Sequence, residues 1–475
     1  MIADAASLAR AGDFFMKGPR MNQPKSLTEG PVAKSLILFA IPILLSNIFQ
    51  QLYNSIDSAV VGQFAGSAAL AAVGTTGSII NLLIGFFLGI ATGTGVLYAM
   101  HYGAEDYAGL KKLIDTAMVI SVAAAVIISA IGIGFCRPLL RWMDTPEDVL
   151  PLGVSYLRIF FSGTIVTMIY NVGAGMIRAE GDSVRPLIYL IIGGVMNLFL
   201  DLLLVAVFDM GVAGAAIATV AAQAVSAVLV VIRLTRLNPE YCFRPLHIRF
   251  DRVAAWDIIR ISVPCGLQGS MFNISNLLVQ VKINSFGTVA MAGVTTYNKI
   301  DGFVYMPNMA LGLAVSTFVG QNIGAGKLER LRKGIRIALV LCLCLCIFNC
   351  SCVLLFHNTL FRIFTDDPAV MEYSALMMRF IAPFGWIFVF SEILGGAIRG
   401  AGQAMKVTLI SALCVCVFRV LWLLTAVSFV HTIRMVFFCY PISWTLSTVT
   451  MIIFYFKGSV IMKTVRDHRD AARSE

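Results

Sequence analysis

Residues 173–182 read GAGMIRAEGD and residues 395–403 read GGAIRGAGQ. A shift of 221 residues lays Gly175 on Gly396, Arg178 on Arg399 and Gly181 on Gly402. The register holds far from these stretches. Gly66 lands on Gly287, Gly103 on Gly324, Arg141 on Arg362 and Arg158 on Arg379. One constant offset through loops and apolar segments is the mark of an internal duplication, so the fold is two copies of one unit.

Each unit is built for lipid. The 475 residues are 58% hydrophobic and 13% charged, about half the charge of a soluble domain. Apolar stretches of ~20 residues or more recur, each long enough to cross a hydrocarbon core of ~30 Å. They fall near 33–62, 68–100, 109–136, 148–178, 184–208 and 211–236, then near 253–285, 289–322, 334–357, 369–398, 404–429 and 433–456. The expected fold is an all-α polytopic membrane protein of twelve transmembrane helices in two six-helix lobes. Six is even, so both lobes keep one orientation, a transporter architecture with its binding site between the halves. The lobes are expected at 33–236 and 253–456, joined by a linker at 237–252 and flanked by an arm at 1–32 and a basic tail at 457–475. Pro42, Pro264, Pro307, Pro383 and Pro441 are the expected kinks.

The net charge of +10 does not signal nucleic acid, because of where it lies. With the N-terminus inside, 26 of the 36 Lys and Arg fall on one face and four on the other. That bias predicts both termini in the cytoplasm and a multi-pass protein of the inner or plasma membrane. No apolar leader precedes the first span, and Met21 is an alternative start. The eleven cysteines, five of them in LCLCLCIFNCSC (341–352), lack neighbouring histidines or acids and read as apolar filler. Gly85, Gly89 and Gly93 recur every fourth residue and predict close helix packing. The five histidines are placed in loops or tails, and Walker A, HExxH and GxSxG sequences are absent. An ATP-driven pump and a membrane hydrolase are therefore disfavoured, and no cofactor is expected.

Ionisable groups within the bilayer need a reason. Asp57 and Asp201 lie at similar depths, about 9 and 12 Å below the outer face at 1.5 Å per residue, and Thr219 returns to the same level. Tyr53 shares a helix face with Asp57, as Asn197 does with Asp201. Desolvation disfavours a charged carboxyl there, so the pair is a candidate proton carrier. Asn197, Thr219 and both aspartates are equally candidate oxygen ligands for sodium. A structural polar cluster tying three helices together is the plainer reading. The second lobe carries Gln268, Asn273, Asn276, Gln280 and Lys282 in its first span. Lys299 and Asp301 follow in the next, and Arg419 lies in the eleventh. Lys282 and Lys299 can snorkel to an interface. Arg158 and Arg379 are either structural or cavity-lining, and Glu392 has Arg399 within reach.

From about Pro31 to Lys457 the chain resembles the multidrug and toxic compound extrusion (MATE) transporters. The resemblance rests on QQLYNSIDSAVVGQFAGSAALAAVG (50–74), MIRAEGDSVRP (176–186) with NLFLD (197–201), and GLAVSTFVGQNIGAGK (312–327). Within that family it looks like the DNA-damage-inducible (DinF) branch. That likeness implies coupling roles for Pro42, Tyr53, Asp57, Asn197, Asp201 and Thr219, with Tyr156 and Asn171 nearby. Arg158, Gln268, Asn273, Asn276 and Arg379 are carried as cavity candidates. Where the NorM-type branch has acids in the seventh and tenth spans, this chain has Phe272 and Phe388. The family implies a V-shaped pair of rocking lobes in which proton or sodium entry expels organic, often cationic, amphiphiles. The expected partners are such molecules and the bilayer, with the chain acting as a monomer. A lipid-linked oligosaccharide flippase of the same superfamily and a non-transporting receptor or scaffold are the rival readings.

Overall fold

A computed structural model describes residues 26–143 and 145–457; the rest of the expected arm and tail lies outside these residues. The described chain is helical, in the order α1 (Val32–Phe64), α2 (Ser67–Gly103), α3 (Tyr107–Trp142), α4 (Leu150–Ser162), α5 (Thr164–Ala179), α6 (Val184–Asp201) and α7 (Gly211–Thr235). The second half follows as α8 (Arg252–Asn284), α9 (Thr288–Gly324), α10 (Leu328–Arg362), α11 (Pro368–Ile381), α12 (Gly385–Gly400), α13 (Ala404–Ser411), α14 (Phe418–Leu424), α15 (Ala426–Phe429) and α16 (Ile433–Lys457). Ten helical stretches are long and apolar enough to span a bilayer, and the pair α4–α5, bent by 49°, makes an eleventh. The twelfth unit is α8. It has the length, 33 residues, but its amides and Lys282 leave it less apolar than the spans just counted. A helix lined with amides suits a place facing a partner lobe rather than lipid.

The duplication is written into the backbone. Gly66 (φ 87°) and Gly287 (φ 97°) make equivalent turns before α2 and α9, and Gly181 (φ 99°) and Gly402 (φ 76°) make the turns after α5 and α12. These left-handed conformations favour glycine because it carries no Cβ. One of the five expected kink positions coincides with a break in the helix. Helix assignment continues unbroken through Pro42, Pro264, Pro307 and Pro441. Only Pro383 marks a break, within a 3₁₀ turn at Ala382–Phe384, and the matching break in the first lobe falls at Gly163 without a proline. Two histidines also differ from expectation, since His101 and His357 lie inside α2 and α10.

Outward faces of α3 and α10, the third helix of each lobe, carry Ile127, Ile131, Phe135, Ile347, Phe348 and Leu355, all well over one third exposed. That is the apolar belt lipid requires. The cysteine run behaves as filler, with Cys342 and Cys346 packed into the core. One end of the bundle carries Lys327, Arg330 and the 237–252 linker, and is termed the basic end.

Hydrophobic packing shows how the lobes sit. At the far end the clusters are confined to one lobe: Val60, Val61, Tyr156 and Val205 in the first, Val279, Tyr297, Phe361 and Phe437 in the second. Towards the basic end they cross. Leu36, Phe39 and Ile43 of α1 and Met100 of α2 pack with Leu311, Phe318 and Ile335, while Ile258 and Cys265 of α8 join the first lobe's core. The result is a V closed at the basic end.

Glycines make the closure possible. A Cβ on Gly89 would stand 2.3 Å from the Cys265 carbonyl oxygen, and one on Gly93 2.4 Å from Ser262 Cα. Gly103 meets the backbone of Gln321 in the same way. A buried amide adds a polar clasp. Gln321 accepts from the Leu27 N–H at 2.8 Å and donates to the Ala179 carbonyl at 2.6 Å. Arg330 donates to the carbonyls of Leu27, Glu29 and Gly30.

Candidate functional site

Three helices of the first lobe bring polar groups to one depth. Asp57 lies two turns from the far end of α1, Asp201 is the last α-helical residue of α6, and Thr219 lies two turns into α7. A π-helical segment, Leu202–Val207, follows Asp201 directly. Such bulges reorient neighbouring side chains and cluster at functional sites.

The carboxyl groups of Asp57 and Asp201 face each other within hydrogen-bonding reach. Asn197, with its amide oriented to satisfy both neighbours, donates to Asp201 Oδ2 at 2.7 Å and accepts from the Thr219 N–H at 3.2 Å. The Thr219 hydroxyl donates to the Ala215 carbonyl at 3.0 Å, and the Tyr53 and Tyr156 hydroxyls lie near it. Asn197 and Asp201 are essentially inaccessible and Tyr156 is buried. No Lys or Arg pairs with either aspartate among the described residues. Asp57 Oδ1 and Asp201 Oδ1 are both buried without a hydrogen-bond partner.

That combination has a definite chemical meaning. Two facing carboxyls with no counter-ion cannot both stay ionised cheaply in a low dielectric. They need a shared proton or a cation held between their oxygens. The donor set also fits a hard monovalent cation: carboxylate, amide and hydroxyl oxygens, with no thiolate or imidazole.

Of the residues singled out from sequence, Tyr53, Asp57, Tyr156, Asn197, Asp201 and Thr219 come together here. Asn171 does not, and spends its Nδ2 on the Thr167 carbonyl of its own helix at 2.8 Å. Arg158 and Arg379 are exposed and join no cluster. Pro42 is buried in the half of α1 that packs against the second lobe.

The α8 amides serve separate partners. Asn273 donates to the Asn81 carbonyl across the seam at 3.3 Å, Gln268 donates to Ser411 Oγ at 2.9 Å, and Asn276 accepts from Arg419 at 3.0 Å. Arg419 also donates to Ser443 and lies over the Tyr440 ring. Glu392 pairs with Arg399 at 3.3 Å, as their spacing suggested. Lys299 lies over the Phe364 ring, 5.3 Å from its centroid.

Two features escaped sequence reasoning. In the second lobe Tyr305, Phe388, Trp444 and Tyr440 form a continuous aromatic line with centroids 5.2, 5.6 and 6.1 Å apart. The i, i+4 pair Tyr440/Trp444 was its one legible signal. At the basic end, Glu180 accepts from the Tyr98 hydroxyl at 2.7 Å and pairs with Arg233 at 3.5 Å. Burial raises the Glu180 carboxyl above the ordinary glutamate range, against the opposing pull of Tyr98 and Arg233. Nothing local in the sequence distinguished it from a loop acid.

Comparison with known proteins bears on the family and the fold. The family model described as MatE matches residues 42–203 and, a second time, residues 264–425. The probable multidrug resistance protein YpnP of Bacillus subtilis is 29% identical over 398 residues, covering 82% of this chain and 88% of its own. The probable multidrug resistance protein NorM of Thermotoga maritima is 24% identical over 80% of this chain and 82% of its own. Among solved structures, that of MATE in the bent conformation shares the fold with a TM-score of 0.87 at 21% identity, over 94% of this chain and 100% of its own.

Proposed function

Since the chain belongs to the MatE family of membrane transporters, we propose that it exports organic, cationic amphiphilic drugs or toxins in exchange for protons or sodium. The carrying observation is the facing pair Asp57 and Asp201, each with a buried, unpartnered oxygen and no basic neighbour. A group so placed gains a favourable partner only when a cation or proton arrives. Relatives named as multidrug resistance proteins support the substrate class.

The mechanism follows from linkage. Asp57 sits on α1, whose far half belongs to the first lobe's core and whose other half packs with the second lobe. Neutralising the pair removes a charge penalty and lets α1 bend near Pro42 and loosen one of these attachments. A ligand shifts the equilibrium only by its differential affinity for the two states. The cation therefore binds best in a state that holds the drug poorly, and each expels the other. With both termini cytoplasmic, the V described above opens outward, the state that releases drug and takes up the ion.

The test is dye efflux from everted vesicles under an imposed proton or sodium gradient. Asp57→Asn and Asp201→Asn should insert and fold normally, because Asn resembles a protonated carboxyl in size and polarity. Both should abolish gradient-driven export at matched expression. Wild-type efflux rates in both variants would move coupling away from this cluster.

A further inference from the structure

A second site lies at the seam. A small cavity between α2, α5 and α9, with room for about one water-sized sphere, is walled by Thr92, Gly95, Arg178, Leu313, Ser316 and Thr317. Under the 221-residue shift, Thr92 and Gly95 are the equivalents of Leu313 and Ser316. The cavity therefore lies where matching positions of the two lobes oppose one another.

Its polar lining is not matched. Arg399, the equivalent of Arg178, is neutralised by Glu392 at 3.3 Å and donates to Gln268 at 3.4 Å. The position that supplies Glu392 in the second lobe is Asn171 in the first. Arg178 is left without an ion pair or hydrogen bond among the described residues. Nearby acids are committed elsewhere: Glu180 to Tyr98 and Arg233, Asp182 to Arg185.

The same cavity is lined by Ser316, 1% exposed, whose Oγ is buried without a partner. A guanidinium keeps its charge at any pH the protein meets, and Arg178, half-buried, carries that charge at the cavity wall with no ion pair among the described residues. Water could accept from both donors but brings no charge. A monatomic anion supplies acceptor and charge together.

We propose that this cavity binds a halide ion, held by the Arg178 guanidinium and the Ser316 hydroxyl. It would bridge α5 of the first lobe to α9 of the second and stabilise the state in which the lobes are closed at the basic end, since a ligand favours the state that binds it. The inference is independent of the coupling ion and the exported substrate.

The experiment is thermal unfolding of the purified full-length chain at constant sodium and ionic strength, with bromide replacing gluconate. A saturable rise in Tm is expected. Arg178→Gln should raise the bromide concentration for half the rise by about tenfold or more, the loss of one charge-assisted hydrogen bond. Ser316→Ala should raise it by a smaller factor. Asn171→Glu, which gives Arg178 an internal carboxylate as in the second lobe, should abolish the bromide response. Coincident bromide and gluconate curves in the wild type would overturn the proposal. So would wild-type midpoints in Ser316→Ala and Asn171→Glu, which decide the matter even where Arg178→Gln does not fold. Crystals grown in bromide give an independent reading: an anomalous peak beside Arg178 is expected, and its absence there counts against the site.

Discussion

Gly89→Ala adds a single methyl group where α2 and α8 meet backbone to backbone at the seam. Its Cβ would stand 2.3 Å from the Cys265 carbonyl oxygen, 2.4 Å from its carbon and 2.5 Å from Gly266 Cα. Ordinary contact begins at 3.4 Å, so α2 and α8 must part by about 1.1 Å there. All three obstacles are backbone atoms of a long helix, and none can swing aside. Overpacking of this kind costs roughly 1–3 kcal/mol. Alanine in a helix returns about 0.5–1 kcal/mol, but it does so in every conformational state. The difference between states keeps the whole clash. The variant should therefore shift the equilibrium away from closure at the basic end by roughly 5- to 150-fold, without unfolding the lobes. Hydrogen–deuterium exchange reads this directly. Peptides covering residues 26–31 and the Arg252–Ser262 part of α8 should exchange faster than in the wild type, while α11 should not change. Gly134→Ala is the control, since a Cβ there meets nothing within 4 Å. Exchange in Gly89→Ala matching both wild type and control would show that this approach does not hold the lobes together.

Three further outcomes follow. A cysteine placed at exposed Lys327 should react with an impermeant reagent only in everted vesicles and one at exposed Glu147 only in intact cells; the reverse pattern would invert the topology. Glu392→Gln should slow export less than either aspartate variant. It should still lower stability by roughly 1.5–3 kcal/mol through the stranded Arg399, seen as a fall in Tm that Arg399→Gln partly restores in the double variant; an unchanged Tm would make the pair dispensable. Glu180→Gln should destabilise the basic end, because Arg233 loses the carboxylate it pairs with among the described residues, and exchange at Tyr241–Phe243, packed in the same core, should quicken; unchanged exchange would show that the ion pair does not brace the linker.

The duplication, the spans and the first-lobe polar cluster were legible because each is a matter of periodicity. Residues four apart share a helix face, and Asp57, Asp201 and Thr219 could be set at one depth by counting from turns. What could not be counted was anything set by three-dimensional juxtaposition. Pro42 marks a position but not whether the helix breaks there, and the helix runs on through it. Arg178 and Arg399 looked like twins in sequence. Their difference lies in whether the residue seven positions earlier, Asn171 or Glu392, carries a charge, and that mattered only once both faced a buried seam.

The Gln321 amide bears on rates rather than equilibria. One side chain holds the Leu27 N–H and the Ala179 carbonyl at once, so parting the lobes at the basic end breaks at least the Ala179 bond. In a buried seam these groups must separate before water reaches them, and each stays unsatisfied during that interval at a cost of about 1–3 kcal/mol. The penalty falls on the transition rather than on either resting state. Opening should consequently be abrupt, with long dwells and few partly open intermediates. Gln321→Ala should shorten the dwells in single-molecule recordings more than it changes the fraction of time spent in either state.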